Sequence, residues 1–145
     1  MMKLSKKADY GLIALKHLAM HDGGGACSAG DIAEIYKMST PLMAKVLQKL
    51  AKSGLVAARH GSSGGYTLAR DASLITALDV IRAIDGPLFI TSCVTSRGAC
   101  DVSNTCSIRE PLRRVNDSIL AVLGNVTISQ MTDEAPMSEM VELRV

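Results

Sequence analysis

Residues 39–70 constrain this chain more than any other stretch. Thr40 reads as an N-cap and Pro41 as the first helical residue, because the N–H that proline lacks would be unpaired there anyway. An amphipathic helix then runs to about Ser53 and stops at Gly54. At about 100° per residue, Met43, Val46, Leu47 and Leu50 share one face of it, while Lys45, Lys49 and Lys52 gather on the opposite one. Two strand candidates follow, residues 55–59 (LVAAR) and 66–69 (YTLA). The loop between them, His60-Gly61-Ser62-Ser63-Gly64-Gly65, is glycine-rich and able to approach another surface closely.

Ahead of this stretch, Ser28 and Asp31 form a Ser-x-x-Asp capping pair for a short helix ending near Lys37, which leaves Met38-Ser39 as the turn. Two helices, a tight turn and a hairpin make a winged helix-turn-helix. Such a unit lays its second helix in the DNA major groove and uses its hairpin loop against the backbone or the minor groove. Ser39, Thr40, Pro41, Lys45 and Lys49 are therefore expected at the groove or its phosphates, with Arg59, His60, Ser62 and Ser63 at the wing. A solvated helix face would also explain the lysines, but not the hairpin beside them. A nucleotide cradle would also use Gly-Ser-Ser-Gly-Gly, yet no Gly-Lys-Ser/Thr follows it and no parallel βαβ frame surrounds it.

Charge supports the DNA reading. The net charge of +2 is a cancellation: residues 1–70 hold ten basic and four acidic side chains, and residues 71–145 hold six basic and ten acidic. A basic half joined to an acidic one suggests a polyanion-binding segment attached to something else. With no Trp, one Phe and three Tyr, the core must be aliphatic. The opening MMKLSKKADYGL is charged where a signal peptide is apolar, and no run of about 18 apolar residues is present. A cytoplasmic chain is expected, with no membrane partner and no small-molecule substrate.

The remaining elements are helical. Residues 4–21 read as a buried helix with Tyr10, Ile13, Ala14, His17 and Leu18 at helical spacing, stopped by Asp22-Gly23-Gly24-Gly25. Thr76 and Asp79 cap a fourth helix over 76–85, ended by Gly86-Pro87. The last helix is expected from Ser107, with Glu110 completing a capping box. Its Ile108, Leu112, Val115, Ile119, Val122 and Val126 alternate steps of four and three, the seam of a coiled coil. The expected fold class is mainly α: a winged helix-turn-helix DNA-binding domain over 1–87, a cysteine-bearing loop over 88–106, a long C-terminal dimerisation helix over 107–130 and an acidic tail over 131–145.

The loop carries Cys93, Cys100 and Cys106, three thiols within fourteen residues. In a cytoplasmic chain such a cluster points to metal binding or redox sensing rather than to structural disulfides. The spacing C-x6-C-x5-C lacks the C-x2–4-C hairpin of most structural zinc sites, so an iron-sulfur cluster fits better. A helix N-terminus near Cys106 would lower its thiol pKa, and Arg97 and Arg109 flank the triad. Three cysteines leave a cluster one protein ligand short. Asp9 in the first helix is a candidate for it, but it is more simply a surface carboxylate beside Lys6 and Lys7, and the residues alone do not select it. Cys27, isolated, reads as a small buried hydrophobe. No paired catalytic carboxylates, His-Cys dyad or cofactor loop points to an enzyme. A thiol- or zinc-based regulator with the same DNA-binding mode, or an iron-sulfur electron carrier, are the alternatives.

Several stretches resemble one family over about residues 3–132: Leu4-Ser5-Lys6 with Asp9-Tyr10, Leu47-x-x-Leu50 with Gly54-Leu55-Val56, Gly61-x-x-Gly64-Gly65-Tyr66-x-Leu68-Ala69-Arg70, Ile84-x-Gly86, and the cysteine triad. Together they are similar to the Rrf-two family of winged-helix repressors. The resemblance implies a homodimer that binds a double-stranded DNA operator, with a 2Fe-2S or 4Fe-4S cluster on Cys93, Cys100 and Cys106 controlling its affinity. One branch has a histidine where this chain has Arg109. Another uses an acidic residue of the partner subunit's first helix as fourth ligand, and Asp9 matches that position. The Cys106-Ser107-Ile108-Arg109 and Pro111-Leu112 stretch looks closest to the regulators of the SUF cluster-assembly system.

Overall fold

The computed structural model of the chain describes residues 4–21, 24–61, 64–88 and 108–132. Its first helix, α1 (Lys6–Met20), starts where the Ser5 hydroxyl accepts from Ala8 N–H at 3.0 Å. Tyr10, Ala14, His17 and Leu18 are buried as expected. Ile13 is only half-buried, and Leu15 is fully enclosed, because α1 is packed on several sides, by α3 (Thr40–Lys52), α4 (Ala77–Asp85) and α6 (Ile128–Thr132). Gly11 permits the α1–α4 contact: a Cβ there would overlap the Ile84 side chain.

The expected capping pair opens α2 (Ala29–Tyr36), with Ser28 Oγ accepting from Asp31 N–H at 3.0 Å and Asp31 Oδ2 from Ser28 N–H at 3.4 Å. Lys37 closes it in the left-handed conformation (φ 55°), and Met38 N–H reaches back to Ala33 O at 2.8 Å. The cap of α3 is Ser39, not Thr40: Ser39 Oγ accepts from Leu42 N–H at 3.4 Å, which makes Thr40 the first helical residue and Pro41 the second. Two adjacent hydroxyl residues can both cap, and sequence does not choose between them. At the far end Gly54 (φ 78°) lets Leu55 N–H bond Leu50 O at 3.0 Å and turns Leu55 into the core.

The hairpin is β1 (Val56–Arg59) and β2 (Gly65–Leu68), antiparallel, with Val56 opposite Leu68 and Arg59 opposite Gly65. A third segment completes it. Cys27 N–H donates to Tyr66 O at 3.0 Å and Tyr66 N–H to Cys27 O at 2.8 Å, which ties the wing to the stretch before α2. A single turn of 3₁₀ helix, Ala72–Leu74, precedes α4, whose Thr76–Asp79 capping box and Gly86 end are as expected.

The C-terminal region departs from the sequence reading. The helix expected over 107–130 is two helices, α5 (Arg109–Asn125) and α6, separated by extended Val126. The residue flanking the start of α5 is Ile108, with no side-chain cap, and Glu110 instead lies 4.0 Å from Arg114. The expected partner Ser107 lies outside the described residues. Thr127 and Gln130 form a capping box for α6, at 2.9 and 3.2 Å, where the heptad spacing suggests a continuing helix. Ile128 then inserts fully buried into the core, fixed by Ile128 N–H to Ile75 O (2.9 Å) and Ala77 N–H to Val126 O (2.8 Å). The core is aliphatic as composition requires, built on Leu15, Ile32, Met43, Leu47, Leu50, Ile75, Ile81 and Ile128. No helix among the described residues is long and apolar enough to cross a membrane.

Candidate nucleic-acid interface and sensor region

The outward face of α3 carries Thr40, Pro41, Lys45, Gln48, Lys49 and Lys52, all exposed, while Met43, Val46, Leu47 and Leu50 are buried beneath it. Ser39 is exposed at the start of the helix. Gln48, absent from the expected set, sits near the middle of the exposed face. It pairs a donor with an acceptor on one amide, the chemistry that reads an adenine edge. The helical periodicity that located the lysines could have found it.

Lys49 differs from its neighbours, because its ammonium donates to the Ile84 carbonyl at 3.2 Å, across to the last turn of α4. In the wing, Arg59 is exposed and its Nε donates to Thr67 Oγ1 at 3.2 Å, a cross-strand bond that directs the guanidinium along the hairpin. His60 and Gly61 are exposed at the tip. Ser62 and Ser63 lie outside the described residues.

The sensor residues are only partly in view. Cys93, Cys100 and Cys106 lie outside the described residues, and among the described ones no three His, Cys, Asp or Glu side chains converge as a metal site. Asp9 is exposed in the first turn of α1, one helical turn from Ser5 and on the same side of the helix. Ser5 Oγ donates to Asp85 Oδ1 at 2.7 Å, so this end of α1 abuts the end of α4, from which the chain runs on toward Cys93.

Cys27 is half-buried. Burial first, then the Asp31 carboxylate, pushes its thiol pKa up, the opposite of a reactive cysteine. On α1, His17 is 3% exposed, 3.0 Å from Tyr36 Oη and stacked on the His21 ring at 4.1 Å between centroids. Burial, then His21, lowers its pKa, against a raising effect of Asp31.

Along α5, the seam splits. Ile108, Val115 and Val122 are exposed at 56, 49 and 38%, whereas Leu112 and Ile119 are half-buried. Asn116 is buried, and Gly124 faces Leu78 of α4. One edge of α5 thus belongs to its own subunit and the other faces outward.

A helix-turn-helix with a basic second helix and an attached wing defines a DNA-binding protein of the winged-helix class. A family model described as "Rrf2: Iron-dependent Transcriptional regulator" matches residues 4–134. The chain belongs to the Rrf2 family: it is a DNA-binding transcriptional regulator and not an enzyme. Among solved structures it is similar to CymR (YrzC), the global cysteine regulator of B. subtilis, at 30% identity and TM-score 0.76, with 91% of this chain and 97% of that one covered. It is similar to T. potens IscR at 30% identity and TM-score 0.72, covering 99% and 92%. It is also similar to the oxidized form of Staphylococcus aureus CymR at 28% identity and TM-score 0.71, covering 92% and 98%.

Proposed function

We propose that this chain is a cytoplasmic homodimeric repressor whose operator affinity is set by an iron-sulfur cluster held on Cys93, Cys100 and Cys106, with Asp9 of the partner subunit as fourth ligand. The observation that carries this reading is the extent of the iron-dependent family match, which spans the winged helix and the cysteine triad together. Three thiolates and one carboxylate form an anionic donor set suited to iron, and Asp9 is exposed and free to serve in it. The cluster would supply a redox- and oxidant-sensitive group. The chain's own residues supply the DNA contacts: Ser39, Thr40, Pro41 and Lys45 on α3, Arg59, His60, Ser62 and Ser63 on the wing. The outward edge of α5, with Ile108, Val115 and Val122, is the dimer face, because pairing two recognition helices matches a two-fold operator.

A thiol-disulfide regulator with the same DNA-binding mode is the second reading, favoured by the likeness to an oxidized CymR. Anaerobic purification separates the two. A coloured protein with iron and acid-labile sulfide, whose spectrum changes in Asp9→Ala, and whose affinity for an operator selected from random DNA differs between loaded and metal-free forms, is the expected result. A colourless protein whose operator affinity follows thiol oxidation alone overturns the cluster reading.

A further inference from the structure

The lysine stripe of α3 is not uniform. Lys45 makes no hydrogen bond or ion pair among the described residues, whereas Lys49 donates to Ile84 O at 3.2 Å, bridging 35 positions of sequence. That carbonyl lies in the last turn of α4, where the chain's carbonyl groups run out of helical partners and a cation is favoured by the helix dipole. Gly86 N–H takes the Arg82 carbonyl, and Ser5 Oγ donates to Asp85 Oδ1 at 2.7 Å. One turn of α4 therefore receives a bond from the recognition helix and another from the cap of α1. Gly11 brings α1 and α4 close at the same place, against Ile84 itself. Cys93 follows only eight positions after Asp85 in the chain.

We infer that Lys49 is a positioning residue rather than a phosphate contact: with the Ser5–Asp85 bond it latches α3 and α1 to the last turn of α4, and this latch transmits the state of the cysteine segment to the recognition helix. The coupling half of the inference rests on the cluster-sensing reading above; the positioning half does not. The two roles of a lysine differ in a measurable way. A phosphate contact releases counterions, so its loss lowers the salt slope of binding by about 0.9 per subunit, whereas an internal latch releases none. Loss of the latch weakens the specific complex through misplacement of α3, by roughly fivefold for one hydrogen bond.

The experiment uses the full chain in metal-free and cluster-loaded forms, with operator affinity followed by fluorescence anisotropy over a range of salt. Lys49→Met keeps the aliphatic stem and removes the donor. Asp85→Ala loosens the same turn without changing any cation, which covers the case of a poorly folded Lys49 variant. Lys45→Met serves as the phosphate-contact reference. The expected result is a Lys49→Met protein with the wild-type salt slope, lower affinity, and a loaded-to-free affinity ratio at least threefold closer to one. Asp85→Ala should shrink the ratio in the same direction, and Lys49→Arg should restore it. A salt slope reduced as in Lys45→Met overturns the positioning role. An unchanged ratio in both Lys49→Met and Asp85→Ala overturns the coupling. A wild-type ratio of one refutes the sensing reading, and the coupling with it, while the salt slope still decides what Lys49 does.

Discussion

Replacing Gly65 by alanine should pull the wing off the body of the domain. A Cβ at this position would sit 2.5 Å from both the carbonyl carbon and oxygen of Cys27, and 2.8 Å from Ser28 N. Ordinary non-bonded contact is about 3.5 Å, and all three atoms are backbone, so none can swing aside as a side chain would. The two segments must part by about 1 Å. That takes the Cys27–Tyr66 pair of hydrogen bonds, now 3.0 and 2.8 Å, out to where neither bond survives. Two lost bonds at about 1 kcal/mol each, plus partly buried groups left unpaired, give a loss of about 2–4 kcal/mol. For a chain of this size that is a fall in Tm of roughly 5–15 °C. Gly61→Ala is the internal control, because its Cβ would meet no atom within 4 Å and only the backbone conformation (φ 114°) is strained. It should lose about 1–2 kcal/mol. Thermal and urea unfolding by circular dichroism measure both. A Gly65→Ala protein within 1 kcal/mol of wild type, or less perturbed than Gly61→Ala, refutes the argument that close approach to Cys27 is what requires glycine.

Other outcomes follow from the same geometry. Val115→Glu with Val122→Glu should convert a dimer to monomers in sedimentation velocity while leaving helical content intact, since both side chains already lie on the outward edge of α5; a persistent dimer would place the interface elsewhere. Gln48→Ala should relax base preference at one position of a selected binding site by roughly tenfold, as for loss of a bidentate amide contact; an unchanged selected site removes Gln48 from readout. For His17, burial and His21 hold the folded pKa below the ordinary 6.5, so the unfolded chain takes the proton first. The stability that depends on neutral His17 is then complete above pH 6.5 and declines as the pH falls below it. His17→Asn should flatten that decline in urea unfolding, and an NMR titration placing His17 at or above 6.5 would contradict it.

Local signals carried most of the fold. The capping boxes at Ser28 and Thr76, the glycine after α3 and the alternating faces of α3 are short-range effects, so each could be read without knowing what lay across from it. The N-cap of α3 was misplaced by one residue because Ser39 and Thr40 are chemically equivalent there. The Thr127–Gln130 box was just as local, but it was hidden by the heptad spacing, which continues into Val126 and suggests one helix where there are two. Periodicity records which residues are apolar and not what they will meet.

The sequence by itself therefore determined the order and type of the main helices and strands as far as α4, the aliphatic core, the basic face of α3 and the cysteine spacing, because each depends on neighbours in the chain. Only the tertiary structure decided that Ile128 folds back to close the core beneath α1, that the seam of α5 divides between an inward and an outward edge, and that Cys27 holds the wing. It also decided that Lys49 faces Ile84 O while Lys45 stays free of it. Two lysines one turn apart carry the same charge and the same helical phase to within 40°. What separates them is a carbonyl 35 residues away, a partner no local pattern could supply.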